Sequence, residues 1–223
     1  HCPTWVLPAL PMTTMAWLAV QASGQNGLRE ATALRWITFP EGPRAVQIQQ
    51  KEGKILLVVE GQTCFVGIAS ATIDVPPAPT LQDSQPDNTA GASLYQAGRL
   101  FHGPAFQVLD RFIARGTNGV SVLLKPAPSM DVLLDGGTHG VPHDALEQWF
   151  PMLQAGKVGY PLRLRGLKIA GRLPTGTVRC EIRTLGLTSS KMPVIAFWIY
   201  EEGRLVAWME WEEALLPKGK IGS

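Results

Sequence analysis

The chain has 223 residues, of which 45% are hydrophobic and 17% are charged. This composition is typical of a globular protein and excludes a largely disordered chain. The 20 basic and 18 acidic residues leave a formal net charge of +2, so the charge balance gives no indication of a nucleic-acid partner.

Cysteine usage and the N-terminal region indicate the compartment. The three cysteines, Cys2, Cys64 and Cys180, have no metal-binding spacing, so we predict ordinary thiols, no bound metal and a cytoplasmic location.

Because the first residue is His1 rather than methionine, we expect a piece of a longer polypeptide. Residues 12–22 are strongly apolar, but they are shorter than the roughly 20 residues of a membrane span and no basic region precedes them. We therefore expect neither a membrane anchor nor a secretory signal.

The first half of the chain predicts one buried helix followed by antiparallel strands. Pro11 opens a predicted helix at residues 12–23, and Gly24 closes it. Apolar residues lie nearly all round this helix, which indicates that other elements enclose it. Strand-like runs separated by glycine-containing turns follow at residues 33–39, 44–50, 54–59 and 63–73.

Prolines and small polar residues then interrupt this pattern. Residues 76–92 contain several prolines among Ser, Asp, Asn and Gln, a composition typical of a surface linker. We therefore divide the chain into an N-terminal unit of residues 1–75, a linker of residues 76–92 and a C-terminal unit of residues 93–223.

The second half repeats the plan of the first. A hairpin is predicted at Asn118-Gly119, between strand-like runs at residues 106–115 and 120–125. A loop then leads to an apolar helix predicted at residues 142–154. Four more strand-like runs follow, at residues 161–170, 178–185, 194–200 and 205–211. This element order predicts an α+β double hotdog, in which two curled antiparallel sheets each wrap around a central helix, and in which the N-terminal unit lacks its leading strands.

Three short segments carry a resemblance to one enzyme family. Residues 99–107 read RLFHGPAFQ, residues 139–148 read HGVPHDALEQ and residues 1–8 read HCPTWVLP. They resemble, in this order, the YGPxFQ, HPxxLDxxxQ and HxxxGxxxxP segments of the dehydratase domains of polyketide synthases. The last segment, with the Ala-Leu-Pro that follows it, is most similar to the dehydratase-like regions of polyunsaturated fatty acid synthases.

The resemblance implies a lyase reaction of polyketide or fatty acid biosynthesis. In this family a 3-hydroxyacyl thioester on the phosphopantetheine arm of an acyl carrier protein loses water to give a trans-2-enoyl thioester. By resemblance, His1 removes the α-proton, Asp144 donates a proton to the departing hydroxyl, and Gln148 and His139 support the acid. The predicted substrate tunnel comprises Pro8, Phe101, His102, Gly103, Pro104, Phe106 and Gln107.

The same resemblance implies the partners. No cofactor is expected other than the phosphopantetheine that carries the substrate. The partners would be an acyl carrier protein and the neighbouring synthase domains, with no nucleic acid and no membrane. Whether the domain forms a homodimer stays open.

Departures from the family motifs keep two alternatives open. Trp5 stands where the family has a glycine, and His102 stands where it commonly has a tyrosine. Both favour a dehydratase-like domain without turnover, which would serve as a scaffold or a carrier-protein docking surface. A hotdog thioesterase, in which Asp144 activates water, is the other alternative. Asp144 could also be an exposed acidic residue in the first turn of a helix, where the helix dipole favours it.

Overall fold

The computed structural model describes residues 9–39, 42–100, 102–139, 149–150 and 157–217. These ranges contain three α-helices, α1 (Met12–Ser23), α2 (Gly91–Gln96) and α3 (Met130–Thr138), and a 3₁₀ helix at Pro104–Phe106. None of the helices in these ranges is long and apolar enough to cross a bilayer.

This part of the chain contains eleven strands: β1 (Gly27–Ala33), β2 (Gln47–Lys51), β3 (Lys54–Val59), β4 (Gln62–Ala69), β5 (Gln85–Pro86), β6 (Leu109–Gly116), β7 (Gly119–Leu124), β8 (Lys157–Ile169), β9 (Val178–Leu187), β10 (Pro193–Glu201) and β11 (Arg204–Pro217). All eleven belong to one antiparallel sheet, in the order β2-β3-β4-β1-β8-β11-β10-β9-β7-β6-β5.

The α+β double-hotdog fold is confirmed, and its two curled halves are continuous with each other. Strands β1 to β4 curl around α1, and β7, β9 and β10 pack against α3. The two halves meet where β1 pairs with β8, with Leu28 opposite Leu167. Buried side chains of both helices and of both halves of the sheet form a single core cluster. Residues from the two ends of the chain can therefore line one cavity.

Helix α1 forms as the sequence predicted. Gly24 follows its last residue with a φ of 65°, a left-handed conformation that glycine adopts without a Cβ penalty, and its N–H donates to the carbonyl of Gln21. Met15, Ala16 and Ala19 are buried, as expected for a helix enclosed by a sheet.

The first strand-like run was placed wrongly. Strand β1 ends at Ala33, and residues 34–39 leave the sheet instead of forming the predicted strand. The backbone N–H groups of Leu34 and Arg35 both donate to the carbonyl of Cys64, which ends regular pairing there. The Trp36 ring then lies edge-on to the ring of Tyr160, with 5.5 Å between the centroids.

The central helix of the second half also differs from the prediction. Residues 130–138 form helix α3, although Pro126 and Pro128 just before them favour a loop. This helix packs against α1 and against β7, β9 and β10. Most of the helix predicted at residues 142–154 lies outside the described residues.

Two consecutive glycines in α3 allow this close packing. A Cβ on Gly137 would lie 2.6 Å from the ring of Phe197, and one on Gly136 would lie 2.3 Å from a methyl group of Val108. Phe197 is fully buried, so its ring has little room to move. Larger residues at either position would push α3 away from the sheet.

We expect Gly137→Ala to lower the free energy of unfolding by about 1–2 kcal/mol, because overpacking against Phe197 exceeds the helix-propensity gain of alanine. Urea unfolding followed by circular dichroism measures this. Gly176→Ala is the matched control, since a Cβ there has no neighbour within 4 Å. Equal stability of the two variants would contradict the packing argument.

The segment between the two halves crosses the outer face of the sheet. The Trp198 indole N–H donates to the carbonyl of Pro76 at 2.7 Å, and Arg183 Nε donates to the carbonyl of Pro79 at 2.8 Å. Ile73, Val75 and Ala78 pack against Trp198 and its neighbours. The segment is thus held against the sheet, and its role as a boundary between two units stays a prediction.

Candidate active site

Helices α1 and α3 face each other and are joined by two hydrogen bonds between threonine and aspartate. The Thr13 hydroxyl donates to Asp135 Oδ1 at 2.9 Å, and the Thr14 hydroxyl donates to Asp131 Oδ2 at 3.0 Å. Thr13 and Asp135 are both buried, whereas the second pair is partly exposed. The contact between the two hotdog helices therefore contains a buried carboxylate.

A chain of hydrogen bonds leads from the backbone to this carboxylate. The Leu109 N–H donates to the Tyr95 hydroxyl oxygen at 3.2 Å, and that hydroxyl lies 2.8 Å from His139 Nδ1. His139 Nε2 lies 3.1 Å from Asp135 Oδ2. Because the tyrosine oxygen already accepts one bond, it is suited to donate its proton to Nδ1. Nε2 then carries the imidazole proton and donates it to Asp135.

A second imidazole is stacked on the first. The rings of His102 and His139 have centroids 3.5 Å apart and are inclined by 35°. His102 Nε2 lies 3.8 Å from Asp135 Oδ2, which is too long for a hydrogen bond but close enough for an ion pair when the imidazole is protonated. Asp135 is thus flanked by two histidines, both of which are buried.

The surroundings act on the pKa of Asp135 in opposite directions. Burial raises it, whereas the hydrogen bond from His139, the electrostatic attraction of His102 and His139 and the bond from Thr13 lower it, and the net effect is a lowered pKa. The pKa of Tyr95 is raised, first by burial and also by the negative charge of Asp135, although the bond from Leu109 opposes this. Tyr95 therefore stays a neutral hydroxyl within the network.

A largely apolar cavity of about 340 Å³ opens next to this cluster. His102, Asp135 and Thr13 contribute to its wall. The apolar part of the wall includes Met12, Met15, Trp36, Leu100, Tyr160 and Leu162. Trp36 is 45% exposed, so it lies at the opening. The cavity can bury an apolar chain while it presents a carboxyl group and an imidazole to one part of that chain.

A second carboxyl group, that of Glu213 on β11, also lines the cavity. The Trp211 indole N–H donates to Glu213 Oε1 at 3.0 Å. Burial raises the pKa of Glu213 to about 7, although the bond from Trp211 lowers it. Near neutral pH this side chain is therefore a neutral acid in part of the molecules.

His102, Asp135 and His139 could also hold a divalent cation. One ligand atom from each lies within 4.8 Å of the other two. Two imidazoles and a carboxylate are common ligands for zinc and for other transition metals. The hydrogen bond from Tyr95 to His139 Nδ1 would orient that ligand. The expectation of a chain without a metal therefore needs an experimental test.

The predicted site residues fall into two groups. His1, Pro8, Phe101, Asp144 and Gln148 lie outside the described residues, so their roles stay predictions. The others lie in the described ranges and are considered next.

His102 and His139 both lie in the cluster around Asp135, and His102 also lines the cavity. Gly103 precedes the 3₁₀ helix that contains Pro104 and Phe106. Gln107 Nε2 donates to the carbonyl of His102 at 3.0 Å, which fixes the backbone that carries this histidine. The assignment of these residues to a substrate tunnel stays a prediction.

Asp135 was missed, although the sequence contains a signal for it. Leu134 and Asp135, followed by three residues and then His139, match the last part of the HPxxLDxxxQ spacing, with histidine in place of glutamine. Ser129 lies directly before α3, and Met130, Leu133 and Leu134 are buried at helical spacing. Gly136 and Gly137 within this helix, and Pro126 and Pro128 before it, favour a loop, so the sequence pattern did not predict the helix.

Sequence comparison finds neither a family profile nor a curated protein that matches this chain significantly. Structural comparison shows that the chain has the fold of the dehydratase domains of polyketide synthases. It is similar to the dehydratase domain of the CurJ module of curacin polyketide synthase, with a TM-score of 0.71, 13% identity, and coverage of 96% of this chain and 86% of that one.

Two further structures share this fold. The dehydratase domain of PpsC from Mycobacterium tuberculosis, in complex with C12:1-CoA, has a TM-score of 0.70 and 16% identity, with coverage of 94% of this chain and 86% of that one. An enoyl-isomerase of a trans-acyltransferase polyketide synthase has a TM-score of 0.64 and 10% identity, with coverage of 94% and 91%. The fold therefore occurs with more than one activity.

Proposed function

We propose that the protein is a dehydratase that removes water from a 3-hydroxyacyl thioester carried on an acyl carrier protein of a polyketide or polyunsaturated fatty acid synthase. The observation that supports this most is a buried carboxyl group, Asp135, set between two histidines at the wall of an apolar cavity. Elimination of water needs a base at the α-carbon and an acid at the departing hydroxyl, and such groups suit both tasks.

In this proposal Asp135 takes the role that the sequence resemblance gave to Asp144. The C3–O bond breaks as the departing hydroxyl takes a proton from Asp135, and water leaves. The hydrogen bonds to Asp135 favour its charged form. An acyl chain in the cavity would displace water, and charged groups are less stable without water. A neutral Asp135 beside a neutral imidazole is then favoured over a carboxylate beside an imidazolium.

A histidine takes the α-proton, and its electron pair forms the C2–C3 double bond. The resemblance assigns this step to His1. His102 is the competing residue, because its imidazole is already on the cavity wall. His1→Ala and His102→Gln in the same assay decide between them, since removing the base lowers the rate by about 10²–10⁴-fold and removing a neighbour lowers it less.

The test is incubation of the protein with 3-hydroxyacyl thioesters of several chain lengths and both hydroxyl configurations, with product identification by mass spectrometry. A trans-2-enoyl product supports the proposal. A product with the double bond moved further along the chain would indicate an isomerase, and free acid would indicate a thioesterase. A folded protein that yields no product from the whole series would favour the scaffold alternative.

We expect dehydration to continue after treatment with a chelator and to fall when zinc is added, because zinc would take the lone pairs of Asp135 and of the two histidines. The measurement is the enoyl-forming rate before and after dialysis against EDTA, with bound metal determined by elemental analysis. Activity that disappears on chelation and returns with one metal ion per chain would show a metal-dependent enzyme instead.

A further inference from the structure

The acid–base cluster does not use Glu213, although this residue lines the same cavity. Its side chain is 4% exposed, and Oε1 accepts the bond from Trp211. Among the described residues, none is a hydrogen-bond partner for Oε2. A buried polar oxygen without a partner raises the free energy of the folded protein. A ligand that supplies the missing hydrogen bond would therefore gain binding free energy of similar size.

The position of Glu213 along β11 directs it into the cavity. The register of β11 shifts between Glu212 and Glu213, and Glu213 lines the cavity. Its Oε1 accepts the hydrogen bond from the indole of Trp211, which is part of the core, so both side chains lie on the inner face. Glu210 and Glu212 point to the other face, where both accept hydrogen bonds from Arg165. Glu213 is therefore the member of this acidic run that is available to a ligand in the cavity.

Glu213 and Asp135 reach the cavity from different elements. Glu213 lies on β11 opposite Pro161 of β8, whereas Asp135 lies on α3 and accepts a hydrogen bond from Thr13 of α1. The reacting carbons must lie beside the Asp135 cluster. The Glu213 carboxyl group is thus placed to meet a more distant part of the acyl chain.

We propose that Glu213 is a specificity residue that forms a hydrogen bond with a second oxygen, a hydroxyl or carbonyl group on the acyl chain beyond the reacting carbons. This inference rests on the proposed function, because it takes an acyl thioester as the ligand. A neutral carboxylic acid can donate to either type of oxygen, and Oε2 is the atom that remains for this. The substrates would then be oxygenated acyl thioesters of the kind that earlier reduction steps leave in a growing chain.

The test compares pairs of 3-hydroxyacyl thioesters of equal length, one with a plain alkyl chain and the other with a second hydroxyl, whose position is moved along the chain through the series. We expect kcat/KM to favour the best oxygenated member by about 10–100-fold in the parent protein. Glu213→Leu should abolish this preference, whereas Glu213→Gln should keep most of it because its amide can also donate.

Glu210→Gln is the matched control, since it removes a carboxylate from the outer face of the same strand. Equal use of plain and oxygenated chains by an active parent, or a preference that survives in Glu213→Leu, would overturn the inference. Binding of non-reacting thioether analogues, measured by calorimetry, separates it from the proposed function. If the parent is inactive but still binds the oxygenated analogue more tightly, and Glu213→Leu removes that difference, the proposed dehydration is contradicted and the inference about Glu213 stands. Equal binding of both analogues would overturn the inference as well.

Discussion

Asp135→Asn is expected to reduce the rate of enoyl formation by about 10²–10⁴-fold, because an amide has nearly the same shape as the carboxylic acid but cannot release an acidic proton. The asparagine oxygen can still accept the bond from the Thr13 hydroxyl. Its NH₂ group would face His139 Nε2, so that imidazole must change tautomer to accept from it. The measurement is kcat/KM for dehydration, together with the free energy of unfolding.

Asp131→Asn is the matched control for this variant. Asp131 lies one turn earlier on α3 and makes the corresponding bond with Thr14, but it does not line the cavity. We expect this control to retain nearly full activity with a similar or smaller change in stability. If Asp135→Asn kept the parent's rate while Asp144→Asn lost it, the acid would be the residue that the sequence resemblance indicated.

The stability of the protein is expected to fall as pH rises through about 7, because of the buried Glu213. Its pKa in the folded state, about 7, is above the ordinary value of 4.5, since burial disfavours the charged form. The folded state therefore retains a proton that the unfolded state releases first. The stabilisation is complete below pH 4.5 and is lost as pH rises through about 7.

The size of this effect follows from the two pKa values. The gap from 4.5 to about 7, at about 1.4 kcal/mol for each pH unit, corresponds to a loss of about 3 kcal/mol between mildly acidic and mildly alkaline solution. Glu213→Gln lacks this titration. The difference in unfolding free energy between the parent and this variant should change by about that amount over the range. Urea denaturation at several pH values measures it.

Glu210→Gln again serves as the control, since Glu210 is on the outer face beside Arg165. Parallel stability curves for the parent and Glu213→Gln would show that Glu213 titrates at an ordinary pKa and that water reaches its carboxyl group.

The sequence by itself determined the elements whose signals are local. Helix α1 has a proline before it, a glycine after it and an apolar surface, and it forms as predicted. Strands β3, β7, β9 and β10 lie close to their predicted runs because alternation and turn residues mark them. The order of these elements was enough to predict a double hotdog, since a helix that is apolar on all sides has to be enclosed.

The tertiary structure alone decided the site. The residues of the site come from distant parts of the chain: Thr13, Tyr95, His102, Asp135 and His139. They come together because the two halves of the sheet pair and α1 packs against α3. Asp135 and His139 are four residues apart, but their contacts with Thr13, Tyr95 and His102 join elements that are far apart in the chain, and no local pattern predicts those. His102 and His139 were identified through a resemblance, but their shared partner Asp135 was not.

Helix α3 shows the physical reason for this division. It has nine residues and contains two glycines, so its intrinsic helix propensity is low and an isolated peptide of this length would not form a helix. The same glycines allow the helix to approach Val108 and Phe197 more closely than any side chain would permit. Burial against the sheet supplies the stability that the local sequence lacks, and it places Asp135 beside the cavity.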